Sequence, residues 1–163
     1  MTVSAIDPPA FYGKLPGHGD FVARGLTGEQ EAAIDRWLAE WIEAAREEWG
    51  AHFEERYRDA QPWLYGGERL SAVAIPSADR VGRLFPLLAA TQAGADLQAL
   101  YDTVVAAIGE GWAGDRLISA LGDLVAEDAP GAAPGWFVPD ENAFTMPHPL
   151  AGARGETLGA MLA

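Results

Sequence analysis

The sequence predicts an α/β protein: a single domain folded as a three-layer α/β/α sandwich around a mixed, largely antiparallel central sheet. Three features of the chain lead there. Short apolar runs at 63–65, 70–75 and 84–91 follow one another across bends, and strands joined so closely pair antiparallel. A long amphipathic stretch precedes them and two further helical stretches follow, enough to cover both faces of a sheet. The run 84–90 is apolar at both alternate sets of positions, the pattern of a central strand buried on two sides. A chain of 163 residues, 49% of them hydrophobic, is long enough to bury such a core.

In chain order, residues 11–15 form a first strand, ended by Pro16 and the turn Gly17-His18-Gly19. Ile34, Trp37, Leu38, Trp41, Ile42, Ala45 and Trp49 then recur at three- and four-residue steps, which predicts a helix over 28–49. Phe53 and Tyr57 continue the stripe beyond Gly50, so the helix kinks or restarts there before Pro62 stops it. Three tryptophans on one stripe could serve as a stacking platform for a ligand. At helical spacing each buries a large apolar area, and they are assigned to the core. Gly66-Gly67, a dipeptide able to take positive φ, separates strands at 63–65 and 70–75.

Asp96 is a candidate N-cap for a helix reaching 108, with Leu97, Leu100, Tyr101, Val104 and Ile108 inward. Asp115 opens another helix, carrying Leu117, Ile118, Leu121, Leu124 and Val125. Residues 127–135 read as a loop, and 136–138 and 144–146 as short strands. Pro147 and Pro149 discourage regular structure up to a weak helix at 156–162. The domain core is therefore expected over 10–146, with 147–163 a weakly ordered tail or terminal helix.

Cysteine is absent, which excludes a disulfide framework, a thiolate zinc site and a cysteine nucleophile. The formal net charge is -13, from 24 acidic against 11 basic side chains. That sign repels phosphate backbones and anionic lipid, so neither nucleic acid nor membrane is an expected partner. The excess either keeps the protein soluble or speeds association with a basic partner. No apolar run approaches the ~20 residues of a membrane span, and residues 1–10 show neither the basic nor the apolar part of a secretory signal. The cytoplasm is the expected location.

Residues 109–114 spell G-x-G-x-x-G, but that fingerprint needs a strand before it, and here a helix precedes. A helix C-cap followed by a helix–helix turn explains the glycines better. Lys14 stands before its glycines, not after them, so no phosphate loop is formed. No G-x-S-x-G and no H-E-x-x-H occurs. No cofactor is expected.

Two glycine-punctuated segments remain: Phe11-Tyr12-Gly13-Lys14-Leu15-Pro16-Gly17-His18-Gly19-Asp20-Phe21-Val22, and Ile75-Pro76-Ser77-Ala78-Asp79-Arg80-Val81-Gly82-Arg83-Leu84-Phe85-Pro86-Leu87. Each couples an apolar run to a charged bend, and loops on a rigid sheet are where function concentrates. The candidate partner-binding residues are Lys14, His18, Asp20, Arg24, Asp79, Arg80 and Arg83. Two readings stand side by side. In one, Asp79 and Asp20 pair internally with Arg80, Arg83, Arg24 or Lys14 and fix the two loops to each other. In the other, the arginines face a partner; anchored guanidinium groups can do both. Asp20 is expected to accept backbone hydrogen bonds in an Asx-type turn, and Phe21 and Phe85 to dock inward. The rival reading is a small metal-dependent or acid/base enzyme using His18, Asp20 and Asp79.

Taken with Arg24, Trp37-Leu38 and Pro62-x-Leu64, the two segments resemble the TagF (ImpM-like) family of type VI secretion accessory proteins. The resemblance covers residues 10–145. It implies a small cytoplasmic accessory factor, non-enzymatic, that represses secretion post-translationally through protein–protein binding. An FHA-domain scaffold protein is the implied partner. Some relatives are fused to a PP2C-type phosphatase domain, whose acidic metal-binding segments this sequence does not contain. The resemblance brings no catalytic residues. A structural subunit held permanently in the secretion apparatus is a further alternative.

Overall fold

The computed structural model describes residues 3–126, 135–150 and 155–163. Six strands form one sheet: β1 (Ala10–Gly13), β2 (Val22–Arg24), β3 (Trp63–Gly66), β4 (Leu70–Ile75), β5 (Leu87–Gln92) and β6 (Gly135–Phe137). Their spatial order is β2-β1-β5-β4-β3-β6. All pairings between them are antiparallel, so the expected mixed character reduces, among the described residues, to one parallel bridge between Gln61 and Thr145. The cause is connectivity: β1–β2, β3–β4 and β4–β5 are joined by short loops, too short for a parallel crossover. That lone bridge also stands where a strand was expected at 144–146.

The helices are α1 (Gly28–Trp49), α2 (Phe53–Asp59), α3 (Leu97–Gly109), α4 (Gly114–Asp123) and α5 (Gly155–Leu162). A capping box starts α1: the Thr27 hydroxyl accepts from the Gln30 N–H, and the Gln30 side chain accepts from the Thr27 N–H. The stripe restarts instead of kinking, since Gly50 at φ 52 ends α1 and a 3₁₀ turn, Gly50–His52, leads into α2. Asp96 caps α3 as expected, accepting from the Gln98 N–H. The turn between β3 and β4 needs no positive φ at Gly66 or Gly67; the Gly67 N–H donates to the Leu70 carbonyl and closes it.

Strand alternation splits the sheet between two cores. Ala10, Tyr12, Leu70, Ala72, Ala74, Leu88 and Ala90 face α1, α2 and α5, while Phe11, Val73, Ile75, Leu87 and Ala89 face α3 and α4. Central β5 thus feeds both layers, as its doubly apolar pattern requires. Trp37, Trp41 and Trp49 are buried in the first core. Their polar edges have a further task, because buried indole N–H groups need acceptors. Trp37 Nε1 donates to the Pro149 carbonyl at 2.7 Å and Trp41 Nε1 to Pro147 at 2.6 Å. Trp63 Nε1 donates to Met146 at 2.8 Å.

This strap leads toward α5, which places Leu158, Met161 and Leu162 in the same core. The C-terminal segment therefore carries a packed helix. Val125, expected on the helix opened by Asp115, lies beyond it and is 71% exposed, because α4 ends at Asp123. The loop expected at 127–135 falls, over 127–134, outside the described residues.

Candidate functional site

The two glycine-punctuated bends meet at one end of the sheet. Gly13, closing β1, and Ile75, closing β4, both pair with Leu87 at the start of β5. The β1–β2 loop (14–21) and the β4–β5 loop (76–86) therefore emerge side by side. Gly13 is fixed by this approach: its φ is +145, and a Cβ there would lie 2.3 Å from the Pro86 carbonyl oxygen.

Asp79 is the hub. Its Oδ2 accepts from Lys14 Nζ at 3.1 Å and Arg83 Nε at 2.7 Å, and its Oδ1 accepts from the backbone N–H groups of Val81 and Arg83. The side chain has no solvent exposure. Burial alone would raise its pKa, but the Arg83 amide, the Lys14 and Arg83 side chains and the Lys14 charge outweigh burial and hold the carboxyl well below the usual range. Lys14 and Asp79 stood among the candidate partner-binding residues, and of the two readings it is the internal pairing that they follow. Both are buried, since each is the other's compensating charge in a site closed to water.

Further bonds lock the loops. Ser77 Oγ donates to the Lys14 carbonyl at 2.7 Å. The Tyr57 hydroxyl of α2 donates to the Ser77 carbonyl at 2.8 Å and accepts from the Ser77 N–H at 2.9 Å, and burial pushes this phenol's pKa up. The Arg80 N–H donates to the His18 carbonyl at 2.8 Å. Arg80 Nη2 reaches the Gly17 carbonyl at 2.6 Å and Arg83 Nη2 the Gly19 carbonyl at 2.8 Å.

A third segment joins them, the α3–α4 turn at 110–113, which the sequence reading left out of the site. Helix α4 has no side-chain cap of its own, and His18 Nε2 accepts the Gly114 N–H at 2.9 Å in its place. Arg24 Nε pairs with Asp115 in the first turn of α4 at 3.0 Å. Gly17 lies against the turn so closely that a Cβ would stand 2.5 Å from the Trp112 carbonyl oxygen. The G-x-G-x-x-G spelling was the available signal. Gly111 takes φ +65 between two helices, so these glycines serve the helix end and turn.

What faces outward is smaller than the candidate set: Arg80, Arg83, Asp20 and the apolar Phe21 and Val81, 44% and 71% exposed. Phe21 does not dock inward, because it follows the loop onto the edge strand β2. It meets Phe85 edge-on at 5.0 Å, with Lys14 Nζ 5.0 Å from its ring. Phe85 is half-buried against the first core. Asp20 accepts from the adjacent Phe21 N–H at 2.8 Å, a one-residue contact in place of an Asx turn.

The rival cluster of His18, Asp20 and Asp79 does not assemble: among the described residues no group of three or more such side chains could hold a metal. His18 Nε2 and both Asp79 oxygens are engaged in the bonds above. Beside the loops lies a cleft of about 490 Å³, walled by Tyr57, Leu84, Tyr101 and Val105; among the described residues its charged lining is Arg58 and Asp59.

Fold and site together define a single-domain α/β/α protein with a rigid, charged loop surface at one sheet end. The TagF N-terminal domain family, type VI secretion system-associated, matches residues 10–130, and the chain belongs to that family. It is also similar to PA0076 from Pseudomonas aeruginosa PAO1, whose crystal structure aligns with TM-score 0.59 and 31% identity over 76% of this chain and 65% of that one. The chain thus spans under two thirds of that relative. No curated protein matches. Among the described residues no helix is long and apolar enough to cross a membrane.

Proposed function

We propose that this chain is a non-enzymatic regulatory module of the type VI secretion system, a cytoplasmic post-translational repressor acting by protein–protein contact. An FHA-domain scaffold protein is the candidate partner. The support is the locked loop cluster. Asp79 and the Gly17 and Gly19 carbonyls hold Arg80 and Arg83 in place while both stay exposed next to Phe21 and Val81. Arginines fixed before binding lose little freedom on association, and arginine beside apolar surface is the usual composition of an energetic centre. The groups that could move protons, His18 and Asp79, are engaged in internal bonds, which suits adhesion better than general acid–base chemistry.

The test is secretion in cells whose own copy is replaced by an Arg80→Ala/Arg83→Ala variant. Derepressed secretion with a folded variant at normal abundance is expected. Normal repression by that folded variant would contradict the proposal.

A further inference from the structure

The three segments that build the loop end, 14–24, 76–86 and 110–116, carry five basic against four acidic side chains, whereas the remainder of the chain carries six against twenty. These segments therefore sum to +1 in a protein whose remainder sums to -14. The local ion pairs are Lys14 and Arg83 with Asp79, and Arg24 with Asp115. Among the described residues Arg80 and Arg116 belong to no ion pair. Both are exposed. Arg80 is held by a carbonyl, Gly17, and Arg116 lies 4.0 Å over the Trp112 ring. Gly17 packs directly on the Trp112 backbone, so the residues that hold the two guanidinium groups touch each other. Beneath Arg116, Trp112 Nε1 is buried and has no hydrogen-bond partner among the described residues; an acceptor reaches it only if Arg116 swings off the ring, and would then relieve the cost of the unpaired N–H.

Resting on the regulatory reading above, we infer that the surface takes an acidic segment of a partner protein, with carboxylates on Arg80 and Arg116 and an apolar side chain against Val81 or Phe21. The α3–α4 turn is then part of the binding surface, and Arg116 and Trp112 join the residues that contact the partner. Guanidinium groups favour carboxylates because their paired N–H donors match the two oxygens. The acidic body of the protein repels the same segment elsewhere, which confines it to this end.

The test is a nuclear magnetic resonance titration of the whole labelled chain with three probes: a glutamate-rich peptide containing one leucine, its lysine-rich counterpart, and inorganic phosphate. The glutamate peptide should move the Trp112 indole, Gly17 and Val81 resonances, and the other two probes should not. Arg80→Ala and Arg116→Ala should each weaken that binding by about five- to tenfold, while Arg36→Ala on α1 leaves it unchanged. No shift at millimolar glutamate peptide, or equal shifts with the lysine peptide or with phosphate alone, would overturn the inference. Capture of the secretion-system partner separates this from the broader proposal. If Arg80→Ala/Arg83→Ala abolishes capture while glutamate peptide neither binds nor competes, only the acidic segment fails. If glutamate peptide binds but wild-type protein captures no secretion component, the regulatory reading fails instead.

Discussion

On one face of the sheet, three tryptophan N–H groups hold residues 146–149 against α1 and β3. At one end of it, Lys14, Asp79, Tyr57, Ser77 and two arginines hold the β1–β2 and β4–β5 loops together. Both regions fasten irregular chain through contacts distant in sequence. The tryptophan strap is neutral: each indole has one donor, and one carbonyl uses it. The loop cluster is charged, and a guanidinium has five donors. Arg83 uses its Nε on Asp79 and one Nη on Gly19, which leaves donors facing solvent. The strap is finished within the protein. The cluster has recognition chemistry left over.

The comparison can be broken first at the strap. Trp37→Ala should cost about 3–5 kcal/mol in denaturant unfolding, since a fully buried indole is lost and a cavity remains. A cost below about 1 kcal/mol would mean that this core is loosely packed.

The cluster's own anchor comes next. Tyr57→Phe removes the partner of the N–H of buried Ser77 and one of the two donors to its carbonyl, which keeps the Phe85 N–H, a loss of about 1–3 kcal/mol. Hydrogen exchange at 76–86 should accelerate in this variant, and unchanged exchange would show that the loop is held without Tyr57.

Acid probes the hub. In the folded protein the Asp79 carboxyl titrates below its ordinary range, so its contribution is fully present above the unfolded value of about 3.9. It fades as pH falls through the lower folded value. The denaturation midpoint of Asp79→Asn should therefore trail wild type by a constant gap down to about pH 5, and the gap should narrow only below about pH 4. A gap unchanged to about pH 2 would show that the charge carries no weight.

The smallest effect on stability belongs to the outward residue: Arg80→Ala should stay within about 0.5 kcal/mol of wild type. A larger loss in the same unfolding assay would make Arg80 a structural tie in place of a recognition group.

The parts legible in the sequence are those written in local periodicity. The α1 stripe from Ile34 to Trp49, the Asp96 cap and the doubly apolar run through Leu87 and Ala90 each need only neighbours within a few residues. That the two bends share one surface was also within reach, because both adjoin strands of one sheet. What could not be seen was which charges turn inward. Lys14 and Asp79 are 65 positions apart; an internal pairing of Asp79 with Lys14 or an arginine was one reading, but nothing near either residue selects Lys14 and Arg83 over Arg24 and Arg80. Phe21 reads as a core residue by type, yet it follows a loop onto an edge strand, where only part of its ring finds cover. The α3–α4 turn was missed because its role depends on Gly17 and His18 arriving from the opposite half of the chain. The terminal helix was one of the two readings of 147–163, but the strap before it was not legible, because Pro147 and Pro149 are held by tryptophans more than a hundred positions earlier.

The most direct measurement is affinity capture from a native cell lysate with wild-type protein and the Arg80→Ala/Arg83→Ala variant in parallel, each first shown to unfold at its expected denaturant midpoint. Recovery of a type VI secretion component by wild type alone is the predicted result. Equal recovery by the folded double variant would contradict the claim that this loop cluster is the recognition surface.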